Sequence, residues 1–407
     1  VLRTRRFYRL LGCGVLLVLL GVQGAVADAG FQRWVRGFKA EAVRAGISAR
    51  LYDQVFQGMK PDPTVIPKAS NQPEFTRAIW QYMDSAVSER RLADGHKALE
   101  EWERWLDRIE GQYGVSKHVV LAVWGMESAY GQIFGNQRLI KNTVQALATL
   151  AYEDPKRKDY ARKQLIGALK ILQNGDIELA QMRGSWAGAM GHTQFIPTTY
   201  LAYAVDATGD GKRDIWNSVP DALASTAAYL KTMGWESGKT WGYEVRLPKG
   251  FDYRLAGSKR KRSLAAWQKM GVRRANGWEF PRAQDQARLY LPAGAQGPAF
   301  LLLKNFDVIK RYNNADSYAL AIGHLSDRLL GVEGFVQDWP RHLRPLSFSE
   351  RKEIQSLLKK RGYYAGKIDG KLGAQSRAAL RAYQIRRGEV SDGYASSLVL
   401  EQLRSAH

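Results

Sequence analysis

From Val119 to Trp124 every side chain is apolar, and three residues further on stands Glu127. The run opens after Ser116, a residue suited to a helix N-cap. A stretch apolar on all sides does not make a surface helix with one wet face, so it predicts a buried helix with Glu127 near its C-terminal end. The helical neighbours of Glu127 are Val123, Trp124, Tyr130 and Gly131, none of them Lys or Arg. A carboxylate there loses water without gaining a counter-ion along its own helix, and its pKa should rise toward the range of a general acid. A distant Arg, or a helix end turned to solvent, would explain the same residue without catalysis.

The chain has 407 residues, 45% of them hydrophobic and 11% aromatic, enough for two or three domains with a sizeable core. Its first 27 residues read as a secretory signal: Arg3, Arg5, Arg6 and Arg9, an apolar core Leu10–Leu20, then Ala25-Val26-Ala27. That core is too short for a membrane span, no later segment reaches the required length, and Cys13 precedes most of the core, so no lipid anchor is expected on it. Setting those four arginines aside lowers the formal charge from +22 to about +18. Cys13 is the single cysteine, so the remainder forms no disulfide, thiolate metal site or cysteine nucleophile. Export also turns the basic balance away from nucleic acid and toward an anionic partner outside the cytoplasm: cell wall, lipid head groups or extracellular polysaccharide.

Along the chain, Phe31 to about Arg108 carries helical spacing, interrupted at Pro61–Pro67, and reads as a scaffold. A second helical stretch covers Thr143–Tyr152, and Lys156–Lys163 is basic, either a solvated helix face or a groove wall for substrate carboxylates. Gly184–Pro197 holds three glycines among small, aromatic and amide residues. It suits an irregular loop that approaches a sugar and enters a helix near Pro197, or a Gly-rich turn around a buried Trp. Asp206–Asn217 begins like a calcium loop, with oxygen side chains at alternate positions and Gly211 sixth, but Asn217 stands twelfth where a bidentate Glu is expected. Asp221 could close such a site; as part of Ser218-Val219-Pro220-Asp221 it also reads as a capping box. A small strand-containing insert is expected from Trp241 to about Phe306, helix again over Tyr318–Leu330, and a Pro-bearing linker over Asp338–Pro345. The six histidines are scattered, and neither a nucleophilic triad nor a phosphate loop is signalled.

Three stretches in this order resemble the membrane-bound lytic transglycosylase B family, lysozyme-like enzymes that cleave peptidoglycan: Glu127-Ser128-Ala129-Tyr130-Gly131, the run from Gly184 to Phe195, and Arg311–Ala319. After the linker, Ile354-Gln355, Gly362-Tyr363-Tyr364, Asp369-Gly370, Ala379-Leu380, Tyr383-Gln384 and Asp392-Gly393 resemble a three-helix peptidoglycan-binding domain. The resemblance implies a mainly α fold: a lysozyme-like helical catalytic domain with a small β-containing insert, plus a small three-helix C-terminal domain. The expected divisions are signal peptide 1–27, catalytic domain 28–337, linker 338–346 and wall-binding domain 347–407.

The implied reaction breaks the bond between N-acetylmuramic acid and N-acetylglucosamine without water, closing a 1,6-anhydro ring. The resemblance makes Glu127 the single acid and base, in keeping with substrate-assisted exceptions to the two-carboxylate rule. It assigns Ser185 and Gln194 to the reacting sugar with Met190 as a substrate-binding residue of the same loop, Tyr229, Tyr312 and Tyr318 to the cleft, and Tyr160 with Lys156-Arg157 to an aromatic and basic pair, one of which is Lys here. Asp206, Thr208, Asp210 and Asp221 take the place of a cation loop, with one residue inserted before Asp221. No cofactor is required, and a structural Ca or Na ion would suit the loop. Expected partners are peptidoglycan strands and other cell-wall enzymes, not nucleic acid. The protein is expected to be a soluble periplasmic monomer. The alternatives are a hydrolytic muramidase on the same fold and a non-catalytic wall-binding scaffold.

Overall fold

The computed structural model describes residues 29–70, 77–136, 138–257 and 261–405. The expected signal at 1–27 lies outside them. The fold divides into two units, one formed by the chain up to Asn71 and by Gly131–Ser225, the other by Gln72–Tyr130 and everything from Thr226.

In the first unit, helices 29–44, Ala49–Phe56 and Val65–Ser70 accompany the pair Thr143–Glu153 and Lys158–Asn174. Asn142 caps the former helix of that pair by accepting from Gln145 N at 3.0 Å, and Gly175 ends the latter in a left-handed conformation with φ 78°. Val65, Ala146, Leu150, Ala151 and Ala161 form a small apolar core, with Trp34 and Trp186 packed on it. Strands β1 (Lys141–Asn142) and β2 (Arg183–Gly184) pair antiparallel and lead into the Gly184 loop. Helix Pro197–Tyr203 follows with Pro at its start, as the sequence implies.

The second unit centres on the predicted buried helix, Lys117–Ser128, in which Val119 through Gly125 are all buried. Ser116 sits at its N-cap but makes no side-chain bond there; Glu110 Oε2 instead accepts from Lys117 N at 3.3 Å. Helices Glu89–Glu101, Glu103–Tyr113 and Asp316–Leu329 pack against it. The insert is a five-stranded antiparallel sheet of β3 (Gly242–Arg246), β4 (Arg262–Ser263), β5 (Arg273–Arg274), β6 (Gln286–Tyr290) and β7 (Ala299–Leu302), ordered β4-β6-β7-β3-β5. Its own core holds Val245, Leu264, Trp267, Val272, Leu289 and Leu301. It is rooted on helix Asp316–Leu329: Trp241 lies against Gly323, where a Cβ would sit 2.5 Å from the indole. Trp241 Nε1 also donates to Asp327 Oδ2 at 3.0 Å. Burial pushes Asp327 up to about 7 against that hydrogen bond, so the anchor is a desolvated carboxyl.

Helices Phe348–Lys360, Ala374–Arg386 and Ser397–Ser405 form the C-terminal module around Ile354, Leu358, Leu380, Leu400 and Leu403. Two Asp-Gly turns are each clamped by a glutamine from a helix. Gln355 Oε1 accepts from Gly370 N at 2.7 Å while its Nε2 reaches Asp369 Oδ1 at 3.1 Å. Gln384 repeats the arrangement with Gly393 N at 2.8 Å and Asp392 Oδ1 at 2.9 Å. The segment expected as a linker is packed: Arg341 forms a two-pronged ion pair with Asp84, and Leu343 and Trp339 join a cluster with Trp80, Ala293 and Tyr394. Asp392 Oδ2 accepts from Ala295 N at 2.8 Å, so the module is docked on the insert. Prolines at 340 and 345 restrict the backbone of a strap as well as of a free tether, which is why sequence alone suggested a linker.

Removing one glutamine clamp leaves a buried N–H unpaired, at a cost of about 1–3 kcal/mol. Gln355→Leu should therefore lower the hydrogen-exchange protection of Gly370 while leaving Gly393 protected. Unchanged protection at Gly370 would show that the clamp contributes nothing.

Candidate active site

Glu127 is the penultimate residue of helix Lys117–Ser128, half-buried at its C-terminal end. That end is the negative pole of the helix and does not favour a carboxylate. Among the described residues no basic side chain pairs with it; the group that meets it is Tyr318, whose hydroxyl donates to Glu127 Oε1 at 2.5 Å. Desolvation raises the Glu127 pKa to about 7, and the tyrosine hydrogen bond opposes the rise. Tyr318 is 5% exposed, and burial next to Glu127 holds its own pKa well above the usual value, so it stays a donor. Tyr312 and Tyr229 stand edge to face with ring centroids 5.2 Å apart, and the Tyr229 hydroxyl donates to Arg311 O at 2.5 Å. The second unit thus brings Glu127 and Tyr318 together, with Tyr312 near enough to Tyr318 to help raise its pKa and Tyr229 packed on Tyr312.

The backbone leaving this helix is unusual. Ala129 and Tyr130 both have positive φ, 48° and 54°, and Gly131 follows at 87°. Left-handed conformations cost non-glycine residues roughly 1–2 kcal/mol each. The turn is held by the Tyr130 side chain, which packs on Gly95 and Gly125 so closely that a Cβ would sit 2.5 Å from its hydroxyl at Gly95 and 2.5 Å from its ring at Gly125. It also meets Trp124 edge-on at 5.6 Å. Arg91 adds a second brace, with Nε donating to Gly125 O at 3.2 Å and Nη1 to Ser85 O and Ala86 O at 2.7 and 2.6 Å. Sequence reasoning missed Arg91, Gly95 and the structural part of Tyr130. The one visible signal was Gly125, a residue without a side chain in an otherwise apolar run.

In the first unit the Gly184 loop is held by backbone hydrogen bonds, within itself and to Ile215. Ser185 N donates to Ala189 O at 2.7 Å, Met190 N to Phe195 O at 2.8 Å and His192 N to Ile215 O at 2.9 Å. The Ser185 hydroxyl accepts from Ala189 N at 3.1 Å, and Gln194, at positive φ of 50°, returns its amide to Gly191 O at 2.9 Å. Gly191 must be glycine, since φ is 61° and a Cβ would sit 2.5 Å from Ile215 O. Met190 is fully buried between the two bridges of the loop, where a sugar does not reach it; it holds the loop. Tyr160 donates to Ala187 O at 3.1 Å and remains exposed. Arg157 pairs with Asp154 at 2.8 Å, donates to Ala69 O at 3.2 Å and lies over the Trp186 ring at 5.6 Å. The expected site residues of this unit therefore gather on and around one loop.

Asp206, Asp210 and Asp221 bring one carboxylate oxygen each within 4.8 Å of one another. Asp206 accepts from Gly209 N at 2.6 Å, Gly211 N at 2.8 Å and Thr208 Oγ1 at 3.2 Å. Asp221 is fully buried; Ala207, Thr208 and Asp214 donate backbone N–H groups to it at 2.8, 3.2 and 3.0 Å. Ser218 caps the helix by accepting from Asp221 N, but the Asp221 carboxylate turns into the loop, so the capping box is half made. Desolvation, with Asp206 nearby, raises the Asp221 pKa, and the three backbone donors oppose it. An all-oxygen, like-charged set around a buried carboxylate fits a hard cation. Asn217, twelfth in the loop, is bonded to Asp214 instead, at 2.9 Å.

Comparison with known proteins shows the family. Residues 30–327 match the family described as the transglycosylase SLT domain, and residues 348–403 match a peptidoglycan binding domain. The chain is 30% identical over 297 residues to membrane-bound lytic murein transglycosylase B of Escherichia coli (strain K12), covering 71% of this chain and 78% of that one. Among solved structures it is similar to SltB3 from Pseudomonas aeruginosa in complex with NAG-anhNAM-pentapeptide, with 48% identity, TM-score 0.87 and coverage of 92% of this chain and 99% of that one. It is also similar to the Escherichia coli lytic transglycosylase Slt35 in complex with calcium, with 26% identity, TM-score 0.61 and coverage of 74% and 93%. The chain belongs to the SLT transglycosylase family and is a peptidoglycan lytic transglycosylase with a C-terminal peptidoglycan-binding domain.

Proposed function

We propose that Glu127 alone performs both proton transfers of a water-free cleavage between N-acetylmuramic acid and N-acetylglucosamine. The protonated carboxyl gives its proton to the glycosidic oxygen as the C1–O bond breaks. The acetamido oxygen of the muramic acid stabilises the developing positive charge at C1. The resulting Glu127 carboxylate removes the proton from the C6 hydroxyl, whose oxygen bonds to C1 and closes the 1,6-anhydro ring. Glu127 ends protonated and no water is consumed. The observation that carries this reading is a carboxyl with a pKa of about 7, faced by a tyrosine and by no basic side chain among the described residues. A group poised there gives and takes a proton with little penalty in either direction. Ser185 and Gln194 are proposed to contact the reacting sugar, with Tyr229, Tyr312 and Tyr160 as further sugar contacts and Arg157 near the stem-peptide carboxylates.

The site of action proposed is the periplasm, reached through the signal read in residues 1–27, with peptidoglycan strands as substrate, other wall enzymes as neighbours and a monomer as the working form. No helix among the described residues is long and apolar enough to cross a membrane. The Asp206 loop is proposed to hold a structural Ca or Na ion through Asp206, Thr208, Asp210 and Asp221, a reading supported by the oxygen cluster and by the calcium complex of Slt35.

Glu127→Gln should reduce lysis of purified wall by roughly 10²–10⁴-fold. Mass spectrometry of wild-type products should show 1,6-anhydro ends; reducing muramic acid ends would establish a hydrolase instead. Activity should fall as pH rises through about 7. Tyr318→Phe removes a hydrogen bond to the carboxylate, so it should move that limb to higher pH; an unmoved limb contradicts the assignment.

Because the folded pKa of Glu127 lies above its unfolded value of 4.5, the folded state holds the extra proton between these pH values and loses stability as pH rises. Glu127→Gln should thus stabilise the protein more at pH 8 than at pH 5, by at most about 3 kcal/mol. Millimolar calcium should raise the melting temperature of the wild type and not of Asp221→Asn; equal response of the two would remove the cation from the loop.

A further inference from the structure

The insert presents an aromatic surface that the cleavage reaction leaves unexplained. Trp278 is 71% exposed, the most exposed of the large apolar side chains described. Isolated exposed apolar residues are ordinary on protein surfaces. This one is built in.

Trp278 follows an Asn276-Gly277 turn at the end of edge strand β5. Gly277 has φ 80°, its N–H donates to Arg274 O at 3.1 Å, and Asn276 Oδ1 accepts from Trp278 N at 3.2 Å. Arg274 is paired in register with Val245 of β3. Its guanidinium lies over two rings at once, 4.9 Å from the centre of Tyr243 and 5.4 Å from that of Trp278. Nη1 donates to Glu279 O at 3.1 Å, which fixes the plane of the fork. Tyr243 in turn meets Phe280 edge-on at 5.5 Å. A tyrosine on a core strand, an arginine and a tryptophan thus form a stack rooted in the sheet, with one indole face taken by Arg274 and the other left to solvent. Each such cation–π contact is worth on the order of 0.5–1 kcal/mol at an exposed site, enough to limit the ring's rotamers.

We propose that Trp278 is a glycan-stacking platform, an auxiliary contact through which the insert holds a peptidoglycan strand away from the cleavage site. A pyranose ring offers a face of C–H bonds that packs on an indole, and the exposed Arg273, Asn276 and Glu279, near Trp278 in sequence, are polar groups for its hydroxyl and acetamido groups. The charge of the insert agrees with the partner: residues 241–303 carry twelve Lys and Arg against four Asp and Glu, and the stem peptides of the polymer carry carboxylates. A membrane surface is the lesser fit. The exposed neighbours of Trp278 are polar or charged, with no apolar stripe to enter the acyl boundary. The inference rests on the lytic reading only for the identity of the polymer.

The test compares full-length Glu127→Gln with the same chain carrying Trp278→Ala or Trp278→Phe, by co-sedimentation with purified wall. Binding is thereby measured without cleavage, and failure of the lytic reading would appear separately, as absence of product from the wild type. Trp278→Ala should weaken binding several-fold and Trp278→Phe should restore most of it. In the active enzyme, Trp278→Ala should lower kcat/KM on intact wall by a similar factor and leave turnover of a short tetrasaccharide fragment unchanged. Equal wall binding by the alanine variant would overturn the proposal. So would an equal loss on the short fragment, which marks a structural role, or a Trp278-dependent affinity for anionic vesicles in place of wall.

Discussion

The second unit is organised around the desolvated carboxyl of Glu127. Glu127 sits at the negative end of a helix whose preceding turns are buried, and its hydrogen-bond partner is a tyrosine and not a cation. Burial and the helix end both disfavour the charged form, and the one group that favours it, Tyr318, is neutral. A carboxyl paired with Arg would stay ionised at neutral pH and could not give up a proton. The environment therefore trades stability for a proton that is available near pH 7. The braces around it follow the same logic: two left-handed residues, a tyrosine ring in a slot between two glycines, and Arg91 bonded to carbonyls of two helix ends. Strain of this kind persists only where neighbours over-determine it.

Helix Asp316–Leu329 connects this centre to the rest of the second unit. Tyr318 lies in its first turn and reaches Glu127, while Asp327 near its end receives Trp241 and anchors the sheet. The sheet in turn receives the C-terminal module through Asp392 and Ala295, and the 338–346 segment is packed beside them. One chain of contacts thus runs from the acid to the wall-binding module inside one compact unit. A wall-binding module docked in this way keeps a defined orientation to the sheet that carries Trp278.

Much of this was readable from residues. The run Val119–Trp124 predicted a buried helix, the frequent Gly and Pro with short apolar runs after Trp241 predicted a strand-containing insert, and the three-helix C-terminal module was legible through its resemblance to peptidoglycan-binding domains. Tyr318 could be placed at the cleft by resemblance, but its bond to Glu127 spans 191 residues and no local pattern encodes it. Met190 was expected to bind substrate because it stands in the loop of Ser185 and Gln194; its full burial depends on the fold of that loop. Asp221 shows the ambiguity most clearly. The same side chain satisfies a capping pattern and a cation loop, and only the direction of its carboxylate, toward Ala207, Thr208 and Asp214, separates the two.

The central claim is that the Glu127 carboxyl titrates near neutrality. It is tested most directly by carbon-13 NMR of protein labelled at the glutamate side-chain carboxyl, with Glu127→Gln identifying the resonance by its loss. The account requires a midpoint of about 7, shifted upward in Tyr318→Phe. A midpoint near the ordinary 4.5 in the wild type would contradict it.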